Sequence, residues 1–390
     1  MERVLVVHHS EIVLKGMKRS YFEMKLADNI RQVLGRGVCF VRDENRLVLC
    51  NPSTSAVELL RKMFGVSHLG VGYRCSPEAG EISETALKVL DPPPPAVDID
   101  VKRSYKQHPF TSQQLRRQLA EIVRTRLGVE VCKNEKKLYV EVTKSNAYLY
   151  VEKVRGFGGL PVGSSGNVLC LLSGGVDSAT ASVLLMRRGC RVDFLHFHSY
   201  RSSQEALEMK MKELVERLTL YGLRTRLYMA DFTPFYRIVL ESRTRLELLL
   251  FRKYMLETAS KIVEHGGYRA VALGDSLAQT ASQTIVNIAA VKTSADVPVF
   301  RPLIGMGKDE IIELAGRYGL LDAVQKQYKD CCSILARHPA TSADWRSVEE
   351  KWVELGVEKA VDETLERVQV FGCTFKAGVF RLSQTGRVLS

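Results

Sequence analysis

Nine cysteines occur in the 390-residue chain and no two of them form a CxxC pair. An odd count scattered from Cys39 to Cys373 argues against a disulfide scaffold, and the missing CxxC argues against a zinc knuckle. Only the adjacent Cys331-Cys332 stands apart from that scatter. No apolar run is long enough to cross a bilayer, so no membrane partner is expected. Met1-Glu2-Arg3 leading straight into a short apolar stretch is unlike a signal peptide, and the expected location is the cytoplasm. There is no GxxxxGK[ST] loop, which disfavours γ-phosphate transfer. The nearest approach to GxGxxG, Gly156-Phe157-Gly158-Gly159-Leu160-Pro161, breaks at its proline. Repeats and low-complexity tracts are also missing.

What is present describes a globular protein: 45% hydrophobic and 26% charged residues, in a chain long enough for two or three domains. The formal charge is +12, and residues 101–155 alone carry 13 basic against 5 acidic side chains. A basic surface concentrated in this way favours a polyanion: RNA, DNA or an acidic membrane.

The apolar stretches divide the chain. Val4–Val7, a helix over Tyr21–Leu34, strands at Val38–Val41 and Leu47–Cys50, a helix over Ala56–Phe64 and a strand over His68–Tyr73 read β-α-β-β-α-β, a ferredoxin-like α+β unit. A second unit contains the stiff spacer Pro92–Pro95, a strand at Val97–Val101, a helix from Ser112 to Leu127, and strands near 137–142 and 147–151. Gly156–Gly166 reads as a linker. From 167 onward strands (167–172, 191–197, 225–231, 269–274) alternate with helices, which implies a parallel sheet covered on both faces. Residues after 345 read as a polar, mostly helical tail without an assigned role.

The most chemical stretch is Ser173-Gly174-Gly175-Val176-Asp177-Ser178. It follows the buried-strand pattern Val168–Leu172 and precedes a helix that ends near Gly189. A glycine turn at a helix start aims several N–H groups and the positive end of the helix dipole at one spot, which suits a phosphate. Ser173 and Ser178 add hydroxyls, and Asp177 can hold Mg²⁺ or order basic groups around a pyrophosphate.

This hexapeptide resembles the pyrophosphate loop of the PP-loop ATPases, which cleave ATP between the α- and β-phosphates. Further stretches resemble one family within that group, the tRNA 4-thiouridine synthetases. They are Ser10–Gly16 with Arg19, Gly158–Gly163, Gly274-Asp275-Ser276 through Thr284, Arg301–Gly305 and Asp330-Cys331-Cys332-Ser333. The resemblance covers residues 1–345. It implies a multidomain α+β and α/β chain: a ferredoxin-like domain (1–72), a THUMP RNA-binding domain (73–156) and an adenine-nucleotide α-hydrolase-like PP-loop domain (157–345), with 346–390 unassigned.

On that resemblance the nucleotide contacts fall at Leu171, Leu172, Ser173, Gly174, Gly175, Asp177, Ser178, His196, Phe197, Arg252, Gly274 and Gln283. The backbone near His196 and Phe197 is expected to meet the adenine, leaving their rings without a catalytic task. Asp177, Lys308, Cys331 and Cys332 are the catalytic candidates. Lys308, at a helix N-terminus, neutralises charge during adenylation. One cysteine of the pair carries sulfur on an exposed loop, and the spacing to His338-Pro339 favours Cys332. Arg103, Lys106, Arg116, Arg117, Arg124 and Lys137 contact RNA phosphates, with Tyr105, Phe110 and Tyr139 available for stacking.

The implied reaction uses ATP and Mg²⁺ to adenylate uracil O4 of the uridine at position 8 of tRNA and then replaces the oxygen with sulfur. The sulfur donor is a cysteine desulfurase or free sulfide, and a homodimer is among the assemblies open to the chain. Two departures bear on the sulfur route. The 58 residues after Cys332 are too few for the rhodanese domain of some relatives. The iron–sulfur cluster of others relies on a CxxC that is absent here. Two other readings stay open, another PP-loop tRNA thiolase and a non-catalytic RNA-binding protein with a degenerate nucleotide site. A role in thiazole synthesis for thiamine also belongs to parts of the family.

Overall fold

The computed structural model describes residues 1–387 apart from 10, 36, 134, 243, 295, 327, 329–330, 336–339 and 341, and without the side chains of 332, 333 and 387. Contacts divide the chain into two units, Met1–Pro161 and Val162 onward, a boundary inside the expected glycine-rich linker.

The first unit is built on one eight-stranded sheet. Its strands are β1 (Glu2–His8), β2 (Phe40–Asp43), β3 (Arg46–Cys50), β4 (His68–Cys75), β5 (Ala96–Arg103), β6 (Glu130–Val131), β7 (Lys137–Val142) and β8 (Ala147–Arg155). Their spatial order is β2-β3-β1-β4-β8-β7-β5-β6. The β-α-β-β-α-β reading holds for the first half, with helices α1 (Arg19–Leu34) and α2 (Thr54–Arg61). The two halves are joined edge to edge, because β4 pairs antiparallel with β8 along its length, His68 opposite Arg155 through Cys75 opposite Ala147. In the second half, helices α3 (Ala79–Val89) and α4 (Ser112–Leu127) pack with the sheet around Ile82, Leu115, Leu119, Leu138 and Leu149. The ends of α4 are written locally. Thr111 and Gln114 form a reciprocal capping box, and Gly128 takes the left-handed conformation just beyond the last turn.

The second unit holds β9 (Asn167–Leu171), β10 (Arg191–His198), β11 (Arg224–Asp231), β12 (Ala270–Ala272), β13 (Val299–Phe300), β14 (Gln369–Lys376) and β15 (Val379–Arg387), in the order β13-β12-β9-β10-β11-β14-β15. The first five are mutually parallel as expected. The last two are antiparallel, β14 to β11 and β15 to β14, and here the expected helical tail needs correction. Helices Trp345–Glu354 and Val357–Arg367 are followed by this hairpin, and Val348, Trp352, Val361, Leu365 and Val370 belong to the same core as Leu195, Phe251 and Tyr254. The region is structural rather than an appendage. Arg381, Ser383 and Gln384 interrupt the apolar pattern of β15, and β14 finds its pairing partner β11 far back along the chain. No helix among the described residues is long and apolar enough to cross a membrane.

Candidate active site

β9 is flanked by β10 on one side and β12 on the other, so the chain leaves it in one direction and returns on the opposite side. Such a switch point opens a crevice beyond the carboxyl ends of parallel strands. The glycine turn occupies it. Gly174 has φ of +84°, a left-handed conformation costly for any side chain, and Gly175 caps helix α5 (Val176–Arg187) with no side chain of its own over the first-turn amides. The turn is held from within. Ser178 Oγ accepts from Ser173 N at 3.1 Å and lies 3.1 Å from Ser173 Oγ, which in turn accepts from Gly175 N at 3.3 Å.

Asp177 projects from the first turn of α5 and is met by two side chains distant in sequence. Lys308 Nζ donates to both carboxylate oxygens, at 2.7 and 2.9 Å, and Gln279 Nε2 donates to Oδ2 at 2.9 Å. Lys308 is the first residue of the helix Lys308–Arg317, as its position after Gly307 suggested. Gln279 was not singled out. It follows Ala278, a non-glycine residue at φ of +61°, a conformation that functional loops sustain at some energetic cost.

Across the crevice, the loop after β12 packs directly on this turn. A Cβ built on Gly274 would stand 2.6 Å from Ser178 N and 2.8 Å from Asp177 C, so only glycine permits the approach. Asp275 is buried, its Oδ2 accepting from Arg252 Nη2 at 2.7 Å and Arg301 Nε at 3.1 Å. Arg252, expected as a nucleotide contact, therefore also holds this loop in place. Ser276 Oγ donates to the Met306 carbonyl at 2.7 Å.

Between these elements lies a cavity of about 360 Å³, lined by Leu171, Leu172, Ser173, Asp177, Ser178, Phe197, Arg252, Gly274 and Gln283 among the expected residues, and by Cys331. Its volume is within the range of small-molecule sites. Leu195, Phe251, Met255 and Leu256 make one wall apolar, a surface suited to a flat base, and spacing alone did not reveal them. Two polar atoms at this cavity, Arg252 Nε and Gln283 Oε1, are buried without a hydrogen-bond partner among the described residues. Buried unpaired donors and acceptors are costly, and a bound polar ligand would relieve both.

His196 is not in the cavity wall. Its Nδ1 donates to the Leu172 carbonyl at 2.6 Å and its Nε2 accepts from Tyr328 Oη at 2.7 Å. Burial pushes the imidazole down to about 3, so the ring is neutral and braces Leu172 against Tyr328.

The cysteine pair needs correction. Its polar neighbours suggested an exposed loop, yet Cys331 is buried at the start of the helix Cys331–Leu335, with its thiol 3.5 Å from the Phe197 carbonyl. A small thiol packs like an apolar group, and Leu335 lies in the same core. The side chain of Cys332 and residues Lys329, Asp330, His338 and Pro339 lie outside the described residues, as does Ser10 of the first motif.

In the first unit, the basic candidates differ in what they are free to do. Arg103 donates to the Phe110 carbonyl and Arg124 to the Val131 carbonyl. Arg116 and Lys137 share Asp98, at 3.1 and 3.8 Å. Lys106 and Arg117 are exposed. Among the aromatics, Phe110 stacks on His108 and Tyr139 on Tyr150.

Comparison with known proteins gives these features a context. The thiamine biosynthesis protein (ThiI) family matches residues 163–357, the ThiI ferredoxin-like domain residues 4–70 and the THUMP domain residues 78–152. A probable tRNA sulfurtransferase of Caldanaerobacter subterraneus is 33% identical over 385 residues, covering 94% of this chain and 99% of that protein. One from Brevibacillus brevis is 29% identical, covering 96% and 97%. A crystal structure of a 4-thiouridine synthetase–RNA complex with bound ATP superposes with a TM-score of 0.84 at 28% identity, covering 95% of this chain and all of that one.

Proposed function

The chain belongs to the ThiI family of tRNA sulfurtransferases, and from that premise we propose how its residues carry out ATP-dependent thiolation of tRNA. The product is 4-thiouridine, and the target is the uridine at position 8. Uracil O4 attacks the α-phosphorus of ATP; the new P–O bond forms as the bond to the β-phosphate oxygen breaks, and pyrophosphate leaves. C4 now bears AMP, a far better leaving group than the original oxygen. A sulfur nucleophile then adds at C4, the C4–O bond breaks and AMP departs.

The carrying observation is the closed set around Asp177: a glycine turn offering amides, with Lys308 and Gln279 fixing the carboxylate beside a cavity whose buried Arg252 Nε and Gln283 Oε1 await partners. The amides of Gly174 and Gly175 and the hydroxyl of Ser178 bind the departing pyrophosphate. Lys308 neutralises charge that builds on the phosphates. Phe197 and the apolar wall receive the base and keep water from the adenylated intermediate. Mg²⁺ that accompanies ATP fits Asp177, since this ion commonly takes one carboxylate together with phosphate oxygens; it would supply further charge neutralisation. Asp275 is buried between two arginines, with 5% of its side chain exposed against 23% for Asp177, and does not serve.

Cys331, in the cavity wall, is the cysteine of the pair that we assign to sulfur transfer from a cysteine desulfurase: it receives sulfane sulfur as a persulfide, the terminal sulfur adds at C4, and an external thiol reduces the resulting disulfide to free 4-thiouridine. Free sulfide, already at the required oxidation level, would instead add to C4 directly, without passing through Cys331. Among the described residues no three His, Cys, Asp or Glu side chains gather at one point. Exposed Lys106 and Arg117 are the best placed of the basic candidates to contact RNA phosphates. The test is Asp177→Ala incubated with ATP and tRNA: AMP release is abolished, and release at the normal rate refutes the assignment.

A further inference from the structure

Gln279 uses one end of its amide on Asp177 and leaves the other end without a task. Nε2 donates to Asp177 Oδ2 at 2.9 Å. An ionised carboxylate only accepts, so it dictates which end of the amide faces it and turns Oε1 away. That oxygen is itself buried, and among the described residues it has no hydrogen-bond partner. Leaving a buried acceptor unpaired is costly. The backbone adds a second cost at the same place. Ala278, one residue earlier, is held at φ of +61°, with its N–H donating to the Gln283 carbonyl at 2.9 Å. Strained non-glycine residues of this kind cluster at active sites and ligand clamps.

The neighbours of this oxygen narrow what can meet it. Lys308, the cation beside it, lies on both oxygens of Asp177, at 2.7 and 2.9 Å, and Oε1 receives nothing from it. Ionised phosphate oxygens are acceptors as well, so a pyrophosphate alone would repel Oε1 rather than satisfy it. The amino group of an adenine belongs at the other end of the cavity, near Gln283 and the apolar wall. A hard cation with its water shell can face a carboxylate, a phosphate and an amide oxygen at once. Mg²⁺ takes oxygen ligands, keeps several waters, and is commonly held through one or two carboxylates together with phosphates.

We infer that Gln279 Oε1 is the second protein oxygen of the Mg²⁺ site, beside the carboxylate of Asp177. The two ends of one amide then have separate duties. Nε2 orients Asp177, and Oε1 faces the ion or a water bound to it. A residue that only oriented Asp177 would affect nucleotide binding equally with and without the ion, whereas a residue that faces the ion acts on the ion-dependent part alone. This rests on the reading of Ser173–Ser178 as the pyrophosphate site with Asp177 turned toward Mg²⁺.

The experiment is calorimetry of ATP binding to the full chain, without tRNA so that no adenylation consumes the nucleotide, once in EDTA and once in excess Mg²⁺. The ratio of the two affinities measures what the ion contributes. Wild type should bind ATP more tightly with Mg²⁺. In Gln279→Met, of similar length but with no oxygen, the ratio should fall by about tenfold, a usual cost of removing a group around a bound metal. Its affinity in EDTA should stay near that of wild type, because Lys308 still grips Asp177. Gln279→Glu keeps the oxygen and adds a charge, so it should bind more weakly than wild type in EDTA, recover with Mg²⁺ and show a larger ratio. A Gln279→Met ratio equal to that of wild type overturns the inference and leaves Gln279 as a support for Asp177. Equal wild-type affinities in the two buffers overturn it without any substituted protein. Failure of ATP to bind in either buffer is a different result, which overturns the reading of the glycine turn and the inference with it.

Discussion

A single methyl group at residue 274 tests whether the loop after β12 sets the position of the glycine turn Ser173–Ser178. In Gly274→Ala the new Cβ would stand 2.6 Å from Ser178 N, 2.7 Å from Ser178 Cα and 2.8 Å from Asp177 C, where ordinary contact begins at 3.4 Å. All three obstacles are backbone, so no side chain can swing away, and relief requires the start of α5 to shift by about 0.8 Å. Overpacking of this kind costs about 1–3 kcal/mol. In a domain of this size each kcal/mol lowers the melting temperature by about 2–4 °C. The catalytic loss is larger, because a misplacement near 1 Å costs about 10²-fold in rate. Gly274→Ala should therefore fold, melt several degrees lower and release AMP from ATP and tRNA about 100-fold more slowly than wild type. The assay follows α-labelled ATP by thin-layer chromatography beside a thermal melt. AMP release at the wild-type rate, with an unchanged melt, would show that the two loops do not constrain each other.

Lys308→Met removes the cation that grips Asp177 and should slow AMP formation by about 10²-fold, with tRNA affinity by filter binding unchanged; a normal rate contradicts the charge-neutralising role. Cys331→Ser should leave AMP formation intact and abolish 4-thiouridine, read by nucleoside mass spectrometry of the tRNA product; undiminished 4-thiouridine moves the sulfur role to another residue. Burial lowers His8 to about 4 and both His68 and His196 to about 3, against 6.5 for the free side chain. The unfolded chain therefore takes up these protons first. Stability is intact above pH 6.5 and falls as pH drops toward the folded values, by up to about 1.4 kcal/mol per unit for each histidine. Calorimetric melts from pH 7 to pH 5 should show the decline, and a flat profile counts against it.

The legible parts of the chain were those whose meaning is local. Ser173–Ser178 could be read because an apolar strand, a left-handed glycine and a helix start are all specified within a dozen residues. Helix α4 was readable to the residue for the same reason, since Thr111, Gln114 and Gly128 mark both of its ends. What escaped was decided by partners far away in sequence. Asp275 gains its arginines from residues 252 and 301, and Gln279 finds Asp177 from 102 positions away. The hairpin β14–β15 is a sheet only because β11 offers it an edge. Cys331 is buried because the end of β10 covers it, which its polar neighbours gave no reason to expect.

The pairing of β4 with β8 has a bearing on how the first 161 residues come apart. Family boundaries divide this region after residue 70 and again before residue 78, as if two modules had been strung together. The hydrogen-bonded ladder crosses that division for eight paired positions, so neither module can open without stripping an edge strand from the other. Two family modules thus share one continuous sheet and should open as one unit. Amide exchange in β1 and β4 should then keep pace with exchange in β7 and β8. Expressed alone, residues 1–72 would carry a bare row of amides and carbonyls along β4, an invitation to pair with the next copy.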